Sequence, residues 1–383
     1  MRDVKICIVG PSKRFLSGIS YYTIRLANAL SGSSNVSVIC FRKLLPEFLF
    51  PGRMHVGKDI SQLEFSPAIR VFDGMDYNNP LTWYGVYRYL RAVKPDIIIL
   101  QWWTSSVSHM HILLKIMSIP LKPKLIIEFH EVVDPIEESI LPFRIYSRIM
   151  GTILRKNLNG YIVHSISDKF LVAQRYKIDP QKIHVISHGL YDHYGDRIKN
   201  KKANYILSIE EEFVILSFGL IRRYKGIPYL IQAFEQLPES IAKRSRLLIV
   251  GEIWEGREEL INQIKSSIYR EKITLVNKYI PDNMVPVYFS AANIVVLPYI
   301  RASQSGIAHI AMSFGKPMIV SEVGGLKESM GNYEGTFFVP PENTEAIKLQ
   351  LIKHFGSEKI YSTPALGWNI TSKLYLKTIS EII

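Results

Sequence analysis

The chain has 383 residues, of which 47% are hydrophobic and 21% are charged. This composition excludes a largely disordered chain, and the length favours two domains over a single core. The formal net charge is +13, and most of the excess lies in the first 192 residues, which hold 24 basic and 15 acidic side chains. No apolar run reaches the roughly 20 residues that span a bilayer. The start of the chain lacks a signal-peptide pattern, so we expect a cytoplasmic protein.

Cysteine and histidine spacing gives no metal signature. Cys7 and Cys40 lie in separate apolar runs without a CxxC spacing, which predicts buried thiols. His109 and His111 have no cysteine or acidic residue beside them, so they are not expected to bind a metal. The sequence therefore predicts no metal site.

Short apolar runs alternate with helical patterns along the whole chain. The first set predicts strands at 4–9, 36–40, 97–100, 125–129, 161–163 and 182–186. After a lysine-rich segment, a second set predicts strands at 213–218, 247–250, 273–276, 294–297, 318–320 and 336–339. Two such rounds predict two doubly wound α/β domains with parallel sheets. We place them at 1–192 and 213–365, with 193–212 as the linker and a final helix within 366–383.

The most informative loop follows the predicted strand 213–218. It carries Arg222 and Lys225 between Gly219 and Gly226 and leads into a helical pattern. Glycines permit a tight turn, and a helix start beside two cations favours an anion, for which a diphosphate is the natural candidate. A basic surface turn with a capping glycine is the alternative interpretation.

Other unusual residues also follow predicted strands. These loops are Gly10-Pro11-Ser12, Ser17-Gly18-Ile19, Glu128-Phe129-His130-Glu131, His188-Gly189-Leu190, Gly251-Glu252, Pro298-Tyr299, Ser303-Gln304-Ser305-Gly306 and Val323-Gly324-Gly325-Leu326-Lys327-Glu328. Ligands of open parallel sheets bind beyond the carboxyl ends of the strands, so we expect the loops to converge on a cleft between the domains.

Jointly, these segments resemble the retaining glycosyltransferases of the GT-B fold, family 4 (group 1), over essentially the full length. The resemblance is carried by Ser17-Gly18-Ile19 and by the segments 219–226, 291–298, 311–317 and 323–328. It implies two Rossmann-like domains facing a central cleft, with the acceptor bound by the first and the nucleotide-sugar mainly by the second. It also implies a terminal helix, 366–383, that crosses back to the first domain; an ordinary second-domain helix is the alternative.

The resemblance implies transfer of a sugar, as in a hexosyltransferase, from a UDP- or GDP-sugar to an acceptor hydroxyl with retained configuration and no further cofactor. Arg222 and Lys225 would stabilise the charge on the departing diphosphate. The chain has no Asp-x-Asp, which fits a metal-independent enzyme. The leaving phosphate would take the acceptor's proton. His130 would contact the donor sugar, oriented by Glu131, unless it is a structural histidine.

Ten residues are expected to bind the donor: Gly18, Gly219, Gly226, Tyr279, Ile280, Gln304, Ser305, Gly306, Ile307 and Glu328. Backbone groups near Tyr279 and Ile280 would recognise the base. The sequence departs from the family where Leu220 replaces an arginine and where Ala302 and Ile310 replace the paired glutamates. The segment 302–307 resembles a variant in which a Gln-Ser-Gly turn meets the donor instead. In the segment Gln101-Trp102-Trp103, the aromatic faces could bind a sugar ring or a lipid-linked acceptor. The alternative is that these residues only pack in the core.

Part of the excess of basic residues in the first half of the chain lies in segments with a helical pattern. No acid occurs within 139–167, whereas Arg144, Arg148, Arg155 and Lys156 alternate with isoleucine and leucine, and 112–124 carries a second basic and apolar patch. This pattern suits an anionic lipid surface, or else an amphipathic helix packed on its own sheet. Nucleic acid is not expected, because no nucleic-acid-binding signature is present. We therefore expect a lipid-linked saccharide or polysaccharide precursor as acceptor, on the inner face of the membrane.

Two other functions remain open. The missing glutamates are compatible with a catalytically silent GT-B protein that binds a nucleotide-sugar or a partner enzyme. A nucleotide-sugar epimerase is less favoured, because the sequence lacks the set of acidic and histidine residues that proton abstraction from a sugar ring requires.

Overall fold

The computed structural model describes residues 4–11, 13, 18–44, 63–133 and 141–383. They form two compact units, Met1–Gly189 together with Leu366–Ile383, and Leu190–Ala365, which we call unit 1 and unit 2. Ser12 and Ser17, which belong to two of the predicted loops, lie outside the described residues.

Unit 1 is built on a parallel sheet of seven strands in the order β3-β2-β1-β4-β5-β6-β7. The strands are β1 (Lys5–Pro11), β2 (Asn35–Lys43), β3 (Arg70–Asp76), β4 (Ile97–Trp102), β5 (Lys124–Phe129), β6 (Gly160–Val163) and β7 (Ile183–Val185). The helices are α1 (Gly18–Ser31), α2 (Pro80–Val93), α3 (Ser108–Ser118), α4 (Leu141–Arg155), α5 (Ile166–Tyr176) and α14 (Trp368–Ile382).

The central strands of unit 1 are apolar on both faces. In β1, Ile6 pairs with Val36 on one side and with Ile97 on the other, and all three are buried. Continuous apolar strands of this kind are typical of parallel sheets that helices cover on both faces. On one face α14 packs against α1, where Tyr22 and Tyr375 are buried side by side. The last helix of the chain is therefore part of unit 1.

Unit 2 is built on a parallel sheet of six strands in the order β10-β9-β8-β11-β12-β13. The strands are β8 (Phe213–Phe218), β9 (Ser245–Val250), β10 (Ile273–Val276), β11 (Ile294–Leu297), β12 (Met318–Ser321) and β13 (Thr336–Val339). The helices are α6 (Asn200–Ile206), α7 (Ile227–Glu235), α8 (Glu239–Ala242), α9 (Arg257–Ser266), α10 (Val285–Ala291), α11 (Gly306–Ser313), α12 (Leu326–Met330) and α13 (Thr344–His354).

The segment 193–212, predicted as a linker, contains α6, which packs against α10. The amide of Asn200 donates to the carbonyl oxygens of Ser290 and Ala291, at 3.1 and 2.9 Å. These carbonyls lie at the end of α10 and have no partner within that helix, so Asn200 satisfies groups that a helix end leaves open. Much of the predicted linker therefore belongs to unit 2.

All the predicted strands are present, and the prediction of two doubly wound parallel-sheet domains is confirmed. One strand is additional: β3, at the edge of the first sheet, is half polar and was not among the apolar runs. Among the described residues, none of the helices combines the length and apolar character that crossing a bilayer requires.

Candidate functional site

The loop after β8 folds tightly onto the loop after β11. Gly226 has a φ of 64°, and a Cβ at this position would lie 1.8 Å from the carbonyl oxygen of Pro298. Any other residue would both strain the backbone and collide with it. Gly219, with a φ of 97°, opens the loop. The two glycines therefore bring the basic residues between them against the end of β11.

Lys225 is held by Tyr299 in the loop after β11. Its Nζ donates to the hydroxyl of Tyr299 at 2.7 Å and lies 4.5 Å from the centre of the same ring. The Tyr299 hydroxyl is 3.3 Å from Oγ of Ser305, which in turn accepts from the N–H of Ala308 and caps α11. Burial raises the pKa of Tyr299, so its hydroxyl keeps its proton at neutral pH. The ammonium group is thus fixed beside the beginning of α11.

The neighbouring arginines have different surroundings. Arg222 lies over the indole of Trp254, 4.7 Å from its centre, and it forms no ion pair within the part of the chain that the structure describes. Arg223 is paired with Glu259 at 2.6 Å. A cation over an aromatic face keeps its charge and its N–H donors. Arg222 therefore remains suited to an anionic ligand, whereas Arg223 is already paired with a carboxylate.

The Gln-Ser-Gly turn lies at the same edge of the sheet. Oε1 of Gln304 accepts from Oγ of Ser329 at 2.9 Å, and its buried Nε2 has no hydrogen-bond partner among the described residues. A Cβ on Gly219 would lie 3.0 Å from Cδ1 of Ile307 and 3.8 Å from Nζ of Lys225. The ring of Tyr191 lies against Gly306. The structure therefore brings this turn together with the basic loop.

The other predicted donor residues are more dispersed. Ile280 is buried and Tyr279 half-buried, in the loop that follows β10. Glu328 is exposed on α12. Gly18 opens α1, which belongs to unit 1.

In unit 1, His130 follows β5 and belongs to a buried polar cluster. Its Nε2 is 3.7 Å from Oε2 of Glu128, and Nε2 of His164 is 3.6 Å from Oε1 of the same carboxylate. Burial, and then the nearby His164, lower the pKa of His130 well below its usual range, so its ring is neutral at pH 7. The carboxylate of Glu128 therefore faces Nε2 of His130, and the expectation that Glu131 orients this ring stays a prediction.

Neutral donors surround the carboxylate of Glu128. Nε2 of Gln101 donates to Oε2 at 3.1 Å, and the hydroxyl of Tyr375 donates to Oε1. Tyr375 also contacts the hydroxyl of Tyr22 at 2.7 Å, and Oγ1 of Thr23 donates to Oε1 of Gln101 at 2.5 Å. Of the Gln101-Trp102-Trp103 motif, Gln101 and Trp102 are buried in unit 1. Plain packing, the alternative interpretation, therefore holds for Trp102, while Gln101 is part of the buried polar cluster.

The exposed face of α4 is apolar. Leu141, Ile145, Ile149 and Ile153 follow one another at a spacing of four residues and all are exposed, Ile145 by 48% and Ile149 by 55%. The face that packs inward carries the small residues Ser147 and Gly151 with Leu154. Arg148 on this helix and Lys156 just after its end are also exposed. The stripe of isoleucines thus faces outward, which contradicts an amphipathic helix packed by its apolar face.

Two family models match the chain, "Glycosyl transferases group 1" over residues 199–362 and "Glycosyltransferase Family 4" over residues 16–192. The chain belongs to the GT-B glycosyltransferases of family 4, group 1. The predicted family is thereby confirmed, and the two models cover unit 2 and unit 1 in turn.

Individual relatives of the family are distant. An uncharacterized glycosyltransferase of Methanocaldococcus jannaschii is 29% identical over 150 residues, which are 38% of this chain and 37% of the relative. The chain spans less than half the length of the curated relatives it first matches, 37% and 44%. A glycosyltransferase structure from Rickettsia africae has a TM-score of 0.69 and 18% identity, covering 100% of this chain and 99% of that chain. Anabaena HepE, in complex with UDP and glucose, has a TM-score of 0.67 and 15% identity, covering 99% and 95%.

Ala302 and Ile310 occupy the two positions where paired glutamates were expected from the resemblance. Ile310 is buried in α11, and Ala302 lies in the loop before it, so neither offers a carboxylate. Between these two positions, Gln304 contacts Ser329 and Ser305 contacts Tyr299. Tyr299, which links Ser305 to Lys225, was not among the expected site residues. Its position directly after a strand, next to Pro298, is the signal that identifies it.

Proposed function

We propose that the protein transfers a sugar from a UDP- or GDP-sugar to an acceptor hydroxyl with retention of configuration. One observation carries this proposal: Lys225 is fixed by Tyr299 beside Gly219 and the start of α11, at the carboxyl edge of the second sheet. Parallel sheets bind nucleotides at this edge. The complex of the Anabaena neighbour with UDP and glucose supports the same ligand class.

The charges of unit 2 support a mechanism that needs no metal ion at the diphosphate. Departure of the nucleoside diphosphate places negative charge on its terminal oxygens, while the sugar becomes oxocarbenium-like. Lys225 and Arg222 would stabilise that charge from preorganised positions. Removing one preorganised donor from a site of this type typically costs about 3–4 kcal/mol in the transition state.

Retention follows if the acceptor attacks from the face that the diphosphate leaves. The departing phosphate then takes the acceptor's proton, and no protein nucleophile is needed. His130 would contact the transferred sugar through its backbone carbonyl or through the ring edge opposite Nε2, because Nε2 itself is buried against Glu128.

We assign the acceptor to unit 1 and expect it to be a lipid-linked saccharide or polysaccharide precursor at the inner membrane face. The outward stripe of α4 supports this assignment, since exposed isoleucines flanked by Arg148 and Lys156 suit an anionic interface. Two further isoleucines are exposed nearby in the sequence: Ile116 on α3, and Ile119 just after the end of α3. Lys115 donates to the carbonyl of Leu154, which joins the two helices.

The test incubates the purified chain with a panel of nucleotide-sugars, with and without a membrane lipid extract, and measures nucleoside diphosphate release. We expect release with one donor, stimulated by lipid, and a product of the donor's anomeric configuration by NMR. Leaving divalent ions out of the assay buffer should not change the rate of nucleoside diphosphate release if no ion binds the diphosphate. An isomerised nucleotide-sugar without release would establish the epimerase instead.

A silent donor-binding protein is the second candidate, favoured by Ile310 and Ala302 at the glutamate positions. It predicts donor binding by calorimetry with neither release nor isomerisation. Slow donor hydrolysis that requires Lys225 would exclude it.

A further inference from the structure

The polar cluster of unit 1 gathers three metal-ligating side chains at one point. One ligand atom each from Glu128, His130 and His164 lie within 4.8 Å of one another. The exposed fractions of the three residues are 0%, 8% and 5%. Glu128 is in β5. His130 directly follows β5, and His164 directly follows β6. Strand ends in the middle of a sheet are rigid, so the arrangement does not depend on a mobile loop.

The charge of Glu128 has no fixed counterpart. A buried carboxylate is normally paired with a cation or bound to a metal. Over the described residues, no lysine or arginine forms an ion pair with Glu128. Its close donors, Gln101 and Tyr375, are neutral. The imidazole nitrogens, at 3.6 and 3.7 Å, are too distant for normal hydrogen bonds to its oxygens.

The ring of His164 is oriented as a metal ligand is. Nδ1 of His164 lies 3.0 Å from the carbonyl oxygen of Ile186, so it donates there, and the neutral ring then presents a lone pair on Nε2. A ligating histidine generally donates its other N–H to such a carbonyl. Nε2 of His164 and Nε2 of His130 are buried and lack a hydrogen-bond partner in the described part of the chain.

We propose that Glu128, His130 and His164 bind a divalent transition-metal ion. Two imidazoles and one carboxylate form a donor set that suits zinc, with one coordination position left open. Zinc bonds of about 2.1 Å place tetrahedral ligands about 3.4 Å apart. The two imidazole nitrogens lie 3.7 and 3.6 Å from different oxygens of Glu128, and the three ligand atoms lie within 4.8 Å of one another, so metal binding would need side-chain rotations that shorten these separations by up to roughly 1.4 Å. Gln101 and Tyr375 would hold the liganding carboxylate from behind.

The ligands of this ion belong to unit 1, whereas the diphosphate is assigned to unit 2. The effect of the ion would be to neutralise Glu128 and to fix the ring of His130. Metal content can be measured without turnover, so failure of this inference and failure of the proposed function are distinguishable.

The test measures zinc in the purified full-length chain by mass spectrometry, then removes it with a chelator and titrates Co²⁺ and Zn²⁺. We expect one bound equivalent per chain, the visible absorption of tetrahedral Co²⁺, and a melting temperature that rises with zinc and falls after chelation. Glu128→Gln and His164→Gln should weaken binding by roughly 100-fold or more, whereas Tyr375→Phe, which removes an outer hydrogen bond, should cost about tenfold.

His111→Gln is the matched control, because it removes another fully buried histidine of unit 1 that lies outside the cluster. It should keep the wild-type stoichiometry and Co²⁺ spectrum. If the ligand variants do not fold, the titration of the wild-type chain with Co²⁺ and Zn²⁺ still shows whether the site binds a metal. A metal-free wild-type chain that takes up no Co²⁺ or Zn²⁺ and melts at the same temperature with and without chelator would overturn the proposal, as would a His164→Gln chain that binds zinc as tightly as wild type.

Discussion

The two sheets of this protein carry polar sites of opposite construction at their carboxyl edges. In unit 2, Lys225 and Arg222 are cations on partly exposed loops, positioned by the rings of Tyr299 and Trp254. In unit 1, the carboxylate of Glu128 is fully buried and faces imidazoles. A partly hydrated cation keeps most of its solvation when no anionic ligand is bound. A buried carboxylate, in contrast, needs a permanently bound partner.

This difference separates two roles. The site in unit 2 is suited to a ligand that is bound and released in each cycle, because its charges remain in contact with solvent in the absence of ligand. The cluster in unit 1 is suited to a resident cation that contributes to folding. Changes at the two sites should therefore have different consequences, on turnover in the first case and on stability in the second.

Lys225→Ala is the largest expected change in turnover. It removes the cation assigned to the diphosphate, so we expect release of nucleoside diphosphate to slow by roughly 10²–10³-fold. Because the side chain is only partly buried and lies on a loop, the melting temperature should stay close to that of wild type. Steady-state kinetics and thermal unfolding of the same preparation measure both.

Lys243→Ala is the control for charge removal, since Lys243 is an exposed lysine of unit 2 paired with Glu239 on another surface. It should leave turnover unchanged. A folded Lys225→Ala chain with normal turnover would show that the diphosphate does not bind at this loop. The proposed difference in role between the two sites would then be wrong.

The outward face of α4 distinguishes the units in a second way. Ile145→Glu combined with Ile149→Glu places two carboxylates in the stripe, and we expect binding to vesicles of anionic phospholipid to weaken by roughly 100-fold. Both side chains are already exposed, so folding should be unaffected. Vesicle co-sedimentation gives the binding constant.

Leu349→Glu is the matched control, because Leu349 is equally exposed, at 55%, but lies on α13 of unit 2. Its binding should equal that of wild type. Equal vesicle binding by the double variant and the wild type would show that the α4 stripe does not contact lipid.

The sheets were predictable from sequence because their central strands are apolar on both faces, and a run such as 97–100 has few other interpretations. The strand β3 was not, because Arg70, Asp73, Gly74 and Asp76 interrupt its apolar character. An edge strand has one neighbour and a more exposed surface, so burial imposes less on its sequence. The helix α6 was missed for a related reason, since Ala203 is its only buried residue.

The sites were predictable to different degrees. Arg222 and Lys225 stand close together in sequence between two glycines, so a single loop reveals them. The cluster around Glu128 joins residues from β4, β5, α1 and α14, and Tyr375 lies 247 positions from its partner. Glu128 and His130 are two positions apart, a spacing that places both on one face of a strand, and this is the only local signal of the cluster.

Tyr299→Phe tests whether the position of Lys225, and not its charge alone, matters. The change deletes the hydroxyl that accepts from Nζ but keeps the ring. We expect kcat to fall about tenfold, equivalent to about 1.4 kcal/mol in the barrier, with KM nearly unchanged. Because both residues act through one contact, the double variant with Lys225→Ala should be no slower than Lys225→Ala alone. Full additivity in the double variant would assign Tyr299 a separate role.

The smallest effect concerns a second buried glutamate, which unlike Glu128 is paired with cations. Glu211, just before β8, accepts from Arg246 and Lys272, both at 2.7 Å. Burial by itself raises the pKa of Glu211, but hydrogen bonds from Arg246 and Lys272 outweigh it and lower the pKa to about 2. A carboxyl whose pKa is lower in the folded than in the unfolded chain stabilises the fold above pH 4–5, and this contribution is lost as the pH falls toward 2.

Glu211→Gln should therefore reduce the free energy of unfolding of unit 2 at pH 7 and flatten its decline between about pH 4.5 and 2. We expect a loss of only about 1 kcal/mol, because Arg246 and Lys272 reach solvent, which screens the pair. Urea unfolding at a series of pH values measures it. Glu212→Gln, at an exposed ion pair with Arg244, is the control and should change less. If Glu211→Gln left the acid dependence as steep as in wild type, the cation pairing would not be what stabilises this glutamate, and the contrast with Glu128 would lose its energetic basis.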